Sequence, residues 1–309
     1  MRGIRKGRPG RPGDAVLVTG AASGIGMETA IHLAAEGFQV FGTVRRGEGR
    51  EQLEAAATQR GVRVQVLEMD ITDREAVTAG VASMIDAAGA IYGLVNNAGI
   101  GLRGCLEDCS EEEIEALFET NVLGTVAVTR AVIPHMRAAG CGRIVTVSSV
   151  GGRVCGFGVT MYCASKFAQE GLGEGLAQEL APMGIQSVIV EPGILKTTRW
   201  SLHRGTAAGA NDPASPYHDL FWASEAIADK LVERSPTQPN DVAVTIARAL
   251  GESDPRMRYV VGRGASVVIA LRRYLPQSLF ERLYFAGHIR RLERRTRGGQ
   301  PAPVAETLP

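Results

Sequence analysis

Residues 15–26 read Ala15-Val-Leu-Val-Thr19-Gly20-Ala-Ala-Ser-Gly24-Ile-Gly26. The run Ala15 to Thr19 is short, apolar and β-rich, which reads as a buried strand. It passes directly into three spaced glycines, and an amphipathic helix follows over about residues 25–36. Strand, glycine turn and helix N-terminus form an arrangement that holds phosphate, because the unpaired N–H groups and the dipole of the first helical turn face an anion. Gly20 permits the tight turn, Gly24 lets the backbone approach a pyrophosphate, and Gly26 lets helix and strand pack closely. A plain tight connection is the competing reading of such a turn. The strand before it and the helix after it favour binding.

Working outward, the same unit recurs. Apolar runs at about 39–44, 63–69, 91–96, 143–149, 185–191 and 257–261 alternate with helical stretches. That alternation predicts a parallel sheet covered on both faces. The chain has 309 residues and 45% hydrophobic content, enough to bury one large α/β core. Residues 195–238 interrupt the pattern with a long loop and a helix. Residues 1–13, MRGIRKGRPGRPG, are basic and rich in Gly and Pro, and residues 298–309, GGQPAPVAETLP, are similarly poor in core formers. Both ends are expected to be disordered.

Composition excludes several classes of function. A formal net charge of +1 gives no global attraction to nucleic acid or acidic membranes. The five cysteines are an odd set without zinc-type spacing, which points to reduced thiols and a cytoplasmic compartment. Cys105 and Cys109 could form a redox pair, but incidental cysteines are the simpler reading. The histidines His32, His135, His203, His218 and His288 show no metal-ligand spacing, so no metal is expected. There is neither a Gly-x-Ser-x-Gly elbow nor a Walker lysine. No apolar run reaches ~18 residues, so no spanning helix is expected, and no signal peptide is visible at the N-terminus.

The chemistry is carried by Tyr162-Cys-Ala-Ser-Lys166. A tyrosine and a lysine four apart share one helix face. An unperturbed phenol titrates near ~10 and is a poor base at neutral pH. A nearby ammonium favours the phenolate and is expected to lower that value by ~1–3 units. The pair can then move a proton on or off an alcohol oxygen.

The Gly-x-x-x-Gly-x-Gly spacing of the turn, together with Tyr162-x-x-x-Lys166, resembles the short-chain dehydrogenase/reductase family. Further motifs follow in the family's order: Asp70 in Leu67-Glu-Met-Asp70-Ile71, Asn96-Asn97-Ala98-Gly99, Asn121 in Thr120-Asn121-Val122, Ser149 thirteen residues before Tyr162, and Pro192-Gly193-Ile-Leu-Lys-Thr197. The resemblance covers about residues 14–262. It implies an α/β fold, a Rossmann-type doubly wound parallel sheet of about seven strands in the order 3-2-1-4-5-6-7, here with a C-terminal helical extension. The chain is thus expected to comprise a tail (1–13), a dinucleotide-binding catalytic domain (14–262), a helical extension (263–297) and a second tail (298–309).

The resemblance also implies roles. The reaction is hydride transfer between a nicotinamide and a carbonyl or alcohol carbon. Tyr162 is the general acid/base. Lys166 lowers its pKa and holds the nicotinamide ribose, Ser149 bonds the substrate oxygen, and Asn121 holds a water in a proton relay to Lys166. Cofactor contacts fall to Gly20, Ser23, Gly24, Ile25, Gly26, Asp70, Ile71, Asn97, Ala98, Gly99, Pro192, Gly193, Leu195 and Thr197, besides Tyr162 and Lys166. Asp70 is expected to read the adenine amino group, with a helix N-cap as its rival. Asn96 is expected to brace the sheet. NAD-dependent relatives carry an aspartate at the end of the second strand. This chain has Val44 there, followed by Arg45 and Arg46, which can pair with a 2′-phosphate. The expected cofactor is therefore NADP(H) rather than NAD(H), with Arg45 as its reader.

The stretch from Ser149 to Gly171 resembles the hydroxysteroid and retinol dehydrogenase branch, which implies a lipophilic ketone, aldehyde or alcohol as substrate. Trp200, Leu202, Phe221 and Trp222 read as an apolar lid or, equally, as ordinary packing. Residues 265–295 mix apolar clusters with arginines, and Pro276 divides them into two helices. A membrane-interface helix and a cleft cover or dimer contact with a solvated arginine face are both open, the second being the simpler. A homodimer or homotetramer is expected. The alternative to an enzyme is a non-catalytic NADP-binding regulatory protein. The intact Asn121, Ser149, Tyr162 and Lys166 set argues against it, and the glycine spacing argues against an epimerase or dehydratase of the extended branch.

Overall fold

The computed structural model describes residues 7–45, 47, 49–196 and 204–297. Strands β1 (Ala15–Val18), β2 (Gln39–Val44), β3 (Val64–Glu68), β4 (Gly93–Asn96), β6 (Gly142–Val147), β7 (Ile185–Pro192) and β9 (Arg258–Val261) form one seven-stranded sheet in the order β3-β2-β1-β4-β6-β7-β9. All neighbours pair in parallel. This is the Rossmann-type order expected from the resemblance. Two short strands, β5 (Gly101–Arg103) and β8 (Arg204–Thr206), pair separately.

Side chains alternate across each strand, and here both faces are apolar. Val16 and Val18 point to one face, with α1 (Gly24–Ala35), α2 (Arg50–Gln59) and α8 (Pro239–Gly251) supplying Ala30, Leu33, Leu53, Val242 and Ile246. Ala15 and Leu17 point to the other, against Val81, Met84, Val132, Met136 and Leu176 from α3 (Arg74–Ala88), α5 (Thr125–Ala139) and α6 (Thr160–Leu180). Burying one such leucine or methionine contributes ~1.5–3 kcal/mol.

Between α4 (Glu111–Phe118) and α5, residues Glu119–Gly124 form a wider π turn without breaking the helix. The continuous stretch Glu111–Ala139 has an 18-residue window of mean hydropathy 1.3, so by length and composition it could cross a membrane, contrary to the sequence expectation. Its buried face, with Leu117, Asn121, Val128 and Met136, lies against the protein interior, which marks it as a core helix.

The N-terminal expectation also needs correction, because residues 7–13 pack on the body. Arg8 makes a two-pronged ion pair with Asp14 at 2.5 and 2.8 Å and stacks over Tyr92 at 4.4 Å, and Gly10 N donates to Leu250 O at 3.0 Å. Residues 1–6 and 298–309 lie outside the described residues, as do Arg46, Thr197, Trp200 and Leu202. After β8 come α7 (His218–Glu233) and, beyond β9, α9 (Arg263–Tyr274) and α10 (Gln277–Arg297). Pro276 separates the last two.

Candidate active site

The carboxyl ends of the central strands open into one cavity of about 1540 Å³. Its floor is the glycine turn. Gly20 has φ +67°, and a Cβ there would lie 2.8 Å from Ala98 Cα. A Cβ on Gly26 would lie 2.2 Å from Gly20 O, whereas one on Gly24 would meet nothing within 4 Å. Contact thus excludes a side chain at Gly20 and Gly26, while Gly24, at φ +56°, favours glycine by its backbone conformation and faces open space at the cavity. Ser23 is the N-cap of α1 but makes no side-chain cap bond, so the first amides of the helix are left for another acceptor. This cradle fits a dinucleotide pyrophosphate. Ser23 and Ile25 line it, and Pro192, Gly193 and Leu195 line the cavity farther along, beyond β7.

Asn97, Ala98 and Gly99 also line the cavity. Asn97 has a second duty: its Nδ2 donates to Thr19 O and Gly20 O at 2.9 and 3.2 Å, while Thr19 Oγ1 accepts from Asn97 N and Ala98 N at 3.0 Å each. Asn96 is buried and donates to Thr129 Oγ1 at 2.9 Å, bracing β4 against α5.

At the adenosine end, Val44 is the last residue of β2 and pairs with Glu68. Arg45 follows directly and lines the cavity with Asp70 and Ile71. Asp70 does not cap α3. That is done by Asp73, which accepts from Glu75 N and Ala76 N. Asp70 Oδ1 instead accepts from Thr72 N and Oγ1 at 2.9 and 2.8 Å, which fixes its carboxylate at the cavity wall.

The residues expected to handle the proton meet on and beside α6. Tyr162 and Lys166 stand one turn apart, with Lys166 Nζ 5.8 Å from the centre of the tyrosine ring. Ser149 lies two residues past the end of β6, not within it. Its Oγ accepts from Gly151 N at 3.0 Å and shares a hydrogen bond with Tyr162. Asn121 sits fully buried in the π turn, clamped by Ile100 N (2.8 Å), Ile100 O (3.0 Å) and Ser165 Oγ (3.1 Å).

Two features depart from expectation. First, burial pushes the Tyr162 phenol above its usual value, against the favourable hydrogen bond from Ser149. Lys166 Nζ donates to Val147 O at 3.1 Å and to Gln169 Oε1 at 2.9 Å. Burial lowers Lys166 itself to about 8, although nearby Glu170 favours its charged form. Second, the Asn121 carbonyl accepts from Gln169 Nε2 at 2.6 Å and from Thr125 Oγ1 at 2.9 Å. The Asn121 backbone oxygen is thus met by two protein donors, and the Gln169 amide links Lys166 to Asn121 directly.

Behind Lys166, a buried charge cluster ties three elements together. Arg258 meets Glu170 at 3.0 Å and Glu191 at 3.1 Å, and Arg153 meets Glu191 at 2.8 Å.

Beyond Ser149 the cavity wall is largely apolar. Val150, Val154 and Phe157 face Ile227 and Leu231 of α7, and Tyr284 and His288 of α10 close the remaining wall. Phe221 and Trp222 are not in that wall. Phe221 is fully buried against Leu102, Leu117 and Ala210, and Trp222 Nε1 donates to Ala210 O at 3.2 Å. Packing, not a lid, is therefore their role. A buried ion pair between Arg103 and Glu225 holds α7 to β5.

The family model described as short chain dehydrogenase matches residues 14–205. The chain belongs to the short-chain dehydrogenase family. This short-chain dehydrogenase/reductase is 34% identical over 278 residues to 3-ketodihydrosphingosine reductase of Bacteroides thetaiotaomicron, covering 88% of this chain and 97% of that protein. It is 34% identical over 253 residues to human 17-beta-hydroxysteroid dehydrogenase type 1, covering 79% and 76% of the two chains. A crystal structure of an actinorhodin polyketide ketoreductase variant with NADPH superposes with a TM-score of 0.69 at 29% identity, covering 82% of this chain and 97% of that one. The enzyme thus resembles hydroxysteroid-type dehydrogenases, as its motifs imply.

Proposed function

We propose that this enzyme interconverts a lipophilic ketone or aldehyde and its alcohol, with NADP(H) as cofactor and Tyr162 as general acid/base. The observation that carries the reading is the shared cavity, in which the Tyr162, Ser149 and Lys166 group stands between a pyrophosphate cradle and an apolar wall. When bound, the dinucleotide supplies or takes up the hydride. The chain's own residues manage the proton. Tyr162 Oη donates it to the carbonyl oxygen during reduction and accepts it during oxidation, while Ser149 Oγ holds that oxygen. The upward push on the phenol keeps Tyr162 protonated at neutral pH, which suits it to act as the acid in reduction. Lys166 supplies positive charge as the phenolate forms, and the Gln169 amide fixes that ammonium.

Arg45 at the end of β2 supports NADP(H), and the NADPH complex of the related ketoreductase is in keeping with it. The apolar wall supports a lipophilic substrate, as do the names of the sphingoid-base and steroid relatives. A cytoplasmic site of action and a homodimer or homotetramer complete the proposal.

Tyr162→Phe removes the proton while keeping the ring. NADPH binding, read by fluorescence, should survive, and turnover of a lipophilic ketone should fall at least ~10²-fold. Near wild-type turnover would remove Tyr162 from the mechanism.

A further inference from the structure

The last two helices have unlike faces. Inward, α10 completes the cavity wall with Tyr284 and His288 and is anchored by Phe280 and Leu292, which are 3% and 0% exposed. Outward, Val267, Leu271 and Tyr274 on α9 are 57%, 44% and 76% exposed. They recur at i, i+4 and i+7 and so make one stripe along the helix. Leu283, Phe285 and Ile289 on α10 are exposed as well. Six of the thirteen exposed large apolar side chains among the described residues thus fall within residues 263–297, a concentration that marks an interaction surface.

Charge is concentrated in the same place. Residues 263–297 contain nine arginines and two glutamates, a net +7 in a chain whose total is +1, so the rest of the chain carries −6. Arg290, Arg291, Arg294 and Arg295 line one surface concavity with Gly287. No ion pair joins any of these four to a carboxylate among the described residues. They stand at i,i+4 from one another (290 with 294, 291 with 295), a spacing at which like charges oppose the helix. An anionic partner would relieve that repulsion.

We propose that α9 and α10 are the face by which this enzyme docks on an anionic phospholipid bilayer. The exposed apolar side chains enter the interface, and the arginines meet the lipid phosphates. The two properties together select this partner. A nucleic acid would pair the arginines but leave the apolar stripe in water. A second copy of the same face would oppose +7 with +7. Docking brings the bilayer beside the Tyr284–His288 wall, so a lipophilic substrate, on the reading of function above, passes from lipid to cleft with little exposure to water.

The test uses the full chain and needs no turnover, so it is independent of the proposed reaction. Vesicles of phosphatidylcholine alone and of phosphatidylcholine with phosphatidylglycerol are sedimented with the protein. Binding should be at least tenfold stronger to the anionic vesicles and should weaken as salt is raised. Combined Arg290→Gln, Arg291→Gln, Arg294→Gln and Arg295→Gln substitution should cost at least tenfold in that binding. Leu271→Ser with Tyr274→Ser should also weaken it, and both variants should still bind NADPH as the wild type does, which verifies folding. Equal binding to both vesicle types, no binding to the anionic ones, or undiminished binding by the arginine variant overturns the proposal. So does tighter binding to a duplex DNA than to anionic vesicles, or a stable homo-oligomer in which cross-linking buries this face.

Discussion

Gln169 bridges Lys166 and Asn121, the two residues between which the family resemblance implies a relay water. A water between Lys166 and Asn121 could pass a proton along, whereas an amide holds its donor and acceptor ends fixed. In this enzyme the amide accepts from Lys166 at 2.9 Å and donates to Asn121 at 2.6 Å. We therefore read Gln169 as a positioning residue that steadies the charged lysine. Burial has already lowered Lys166 to about 8, so its ammonium is lost as pH rises through that value. A hydrogen-bond acceptor favours the charged form, and removing it lowers the pKa further. Gln169→Leu should move the alkaline limb of kcat/KM, which reports the free enzyme, to lower pH. Gln169→Glu, which places a carboxylate beside the ammonium, should move the limb to higher pH. Limbs that coincide in all three proteins would reduce Gln169 to packing. Tyr162, Lys166 and Ser149 were legible in sequence because their spacing is a property of one helix and one strand end. Gln169 was not, because its role depends on which face of α6 meets the π turn at Asn121, a contact between elements far apart in the chain.

At the scale of elements, the strands were readable to within a residue or two, because each is an apolar run that must be covered on both faces. Their ends were less so: β6 stops at Val147 and β3 at Glu68, which leaves Ser149 and Asp70 on the loops that reach the cavity. The end of β2 is the exception that matters for specificity, since Val44 does close the strand and Arg45 does line the cavity. Arg45→Ala should weaken NADPH binding by ~1.5–3 kcal/mol, the worth of a charged hydrogen bond, and leave NADH nearly unchanged. Fluorescence titration with each dinucleotide decides it, and tighter wild-type binding of NADH would overturn the NADP(H) assignment. At α7 the sequence left a lid and ordinary packing equally open for Phe221 and Trp222, and the structure takes the second. Aromatic content drew attention to Phe221 and Trp222, yet composition does not say which way a helix turns. The face that reaches the cavity is Ser224, Ile227, Ala228 and Leu231, at i, i+3, i+4 and i+7. That stripe was present in the sequence and was masked by the larger rings beside it.

For the whole molecule, a doubly wound sheet carries its cleft at the carboxyl ends of its strands, and here the last helix, α10, adds Tyr284 and His288 to its wall. The cavity wall therefore mixes residues more than 130 positions apart, from Val150 to Tyr284. Each methylene a substrate adds inside it should improve kcat/KM by up to ~0.8 kcal/mol until the cleft is full. Across a homologous ketone series, Tyr284→Ala should flatten that gain. A wild type that prefers small polar ketones would show that the wall does not select by apolar contact. The sequence identified the extension as helical and basic, but only the placement of Tyr284 and His288 in the cavity wall shows that one side of it belongs to the cleft.

The clasp formed by residues 7–13 has a practical consequence. Arg143 is fully buried at the start of β6 and donates to Gln186 Oε1 at 2.6 Å, to Glu252 O at 3.0 Å and to Arg8 O at 3.3 Å. Tyr92 Oη donates to the same Arg8 carbonyl at 3.1 Å. A shortened protein begun at Asp14, where the first strand would suggest a safe cut, strips one acceptor from a buried guanidinium and the covering cation from Tyr92. Arg143 keeps Gln186 and Glu252, and Tyr92 Oη keeps Leu250 O. The Arg8–Asp14 ion pair, the cation over Tyr92 and the Gly10–Leu250 hydrogen bond are lost. Together they are worth ~1–3 kcal/mol, and at ~2.1 cal/mol/K of unfolding entropy per residue each kcal/mol lowers Tm by ~1.5 °C. Such a protein should melt a few degrees below one begun at Gly7 in a calorimetric scan, so the residues that look most dispensable for crystallisation or tagging are ones to keep.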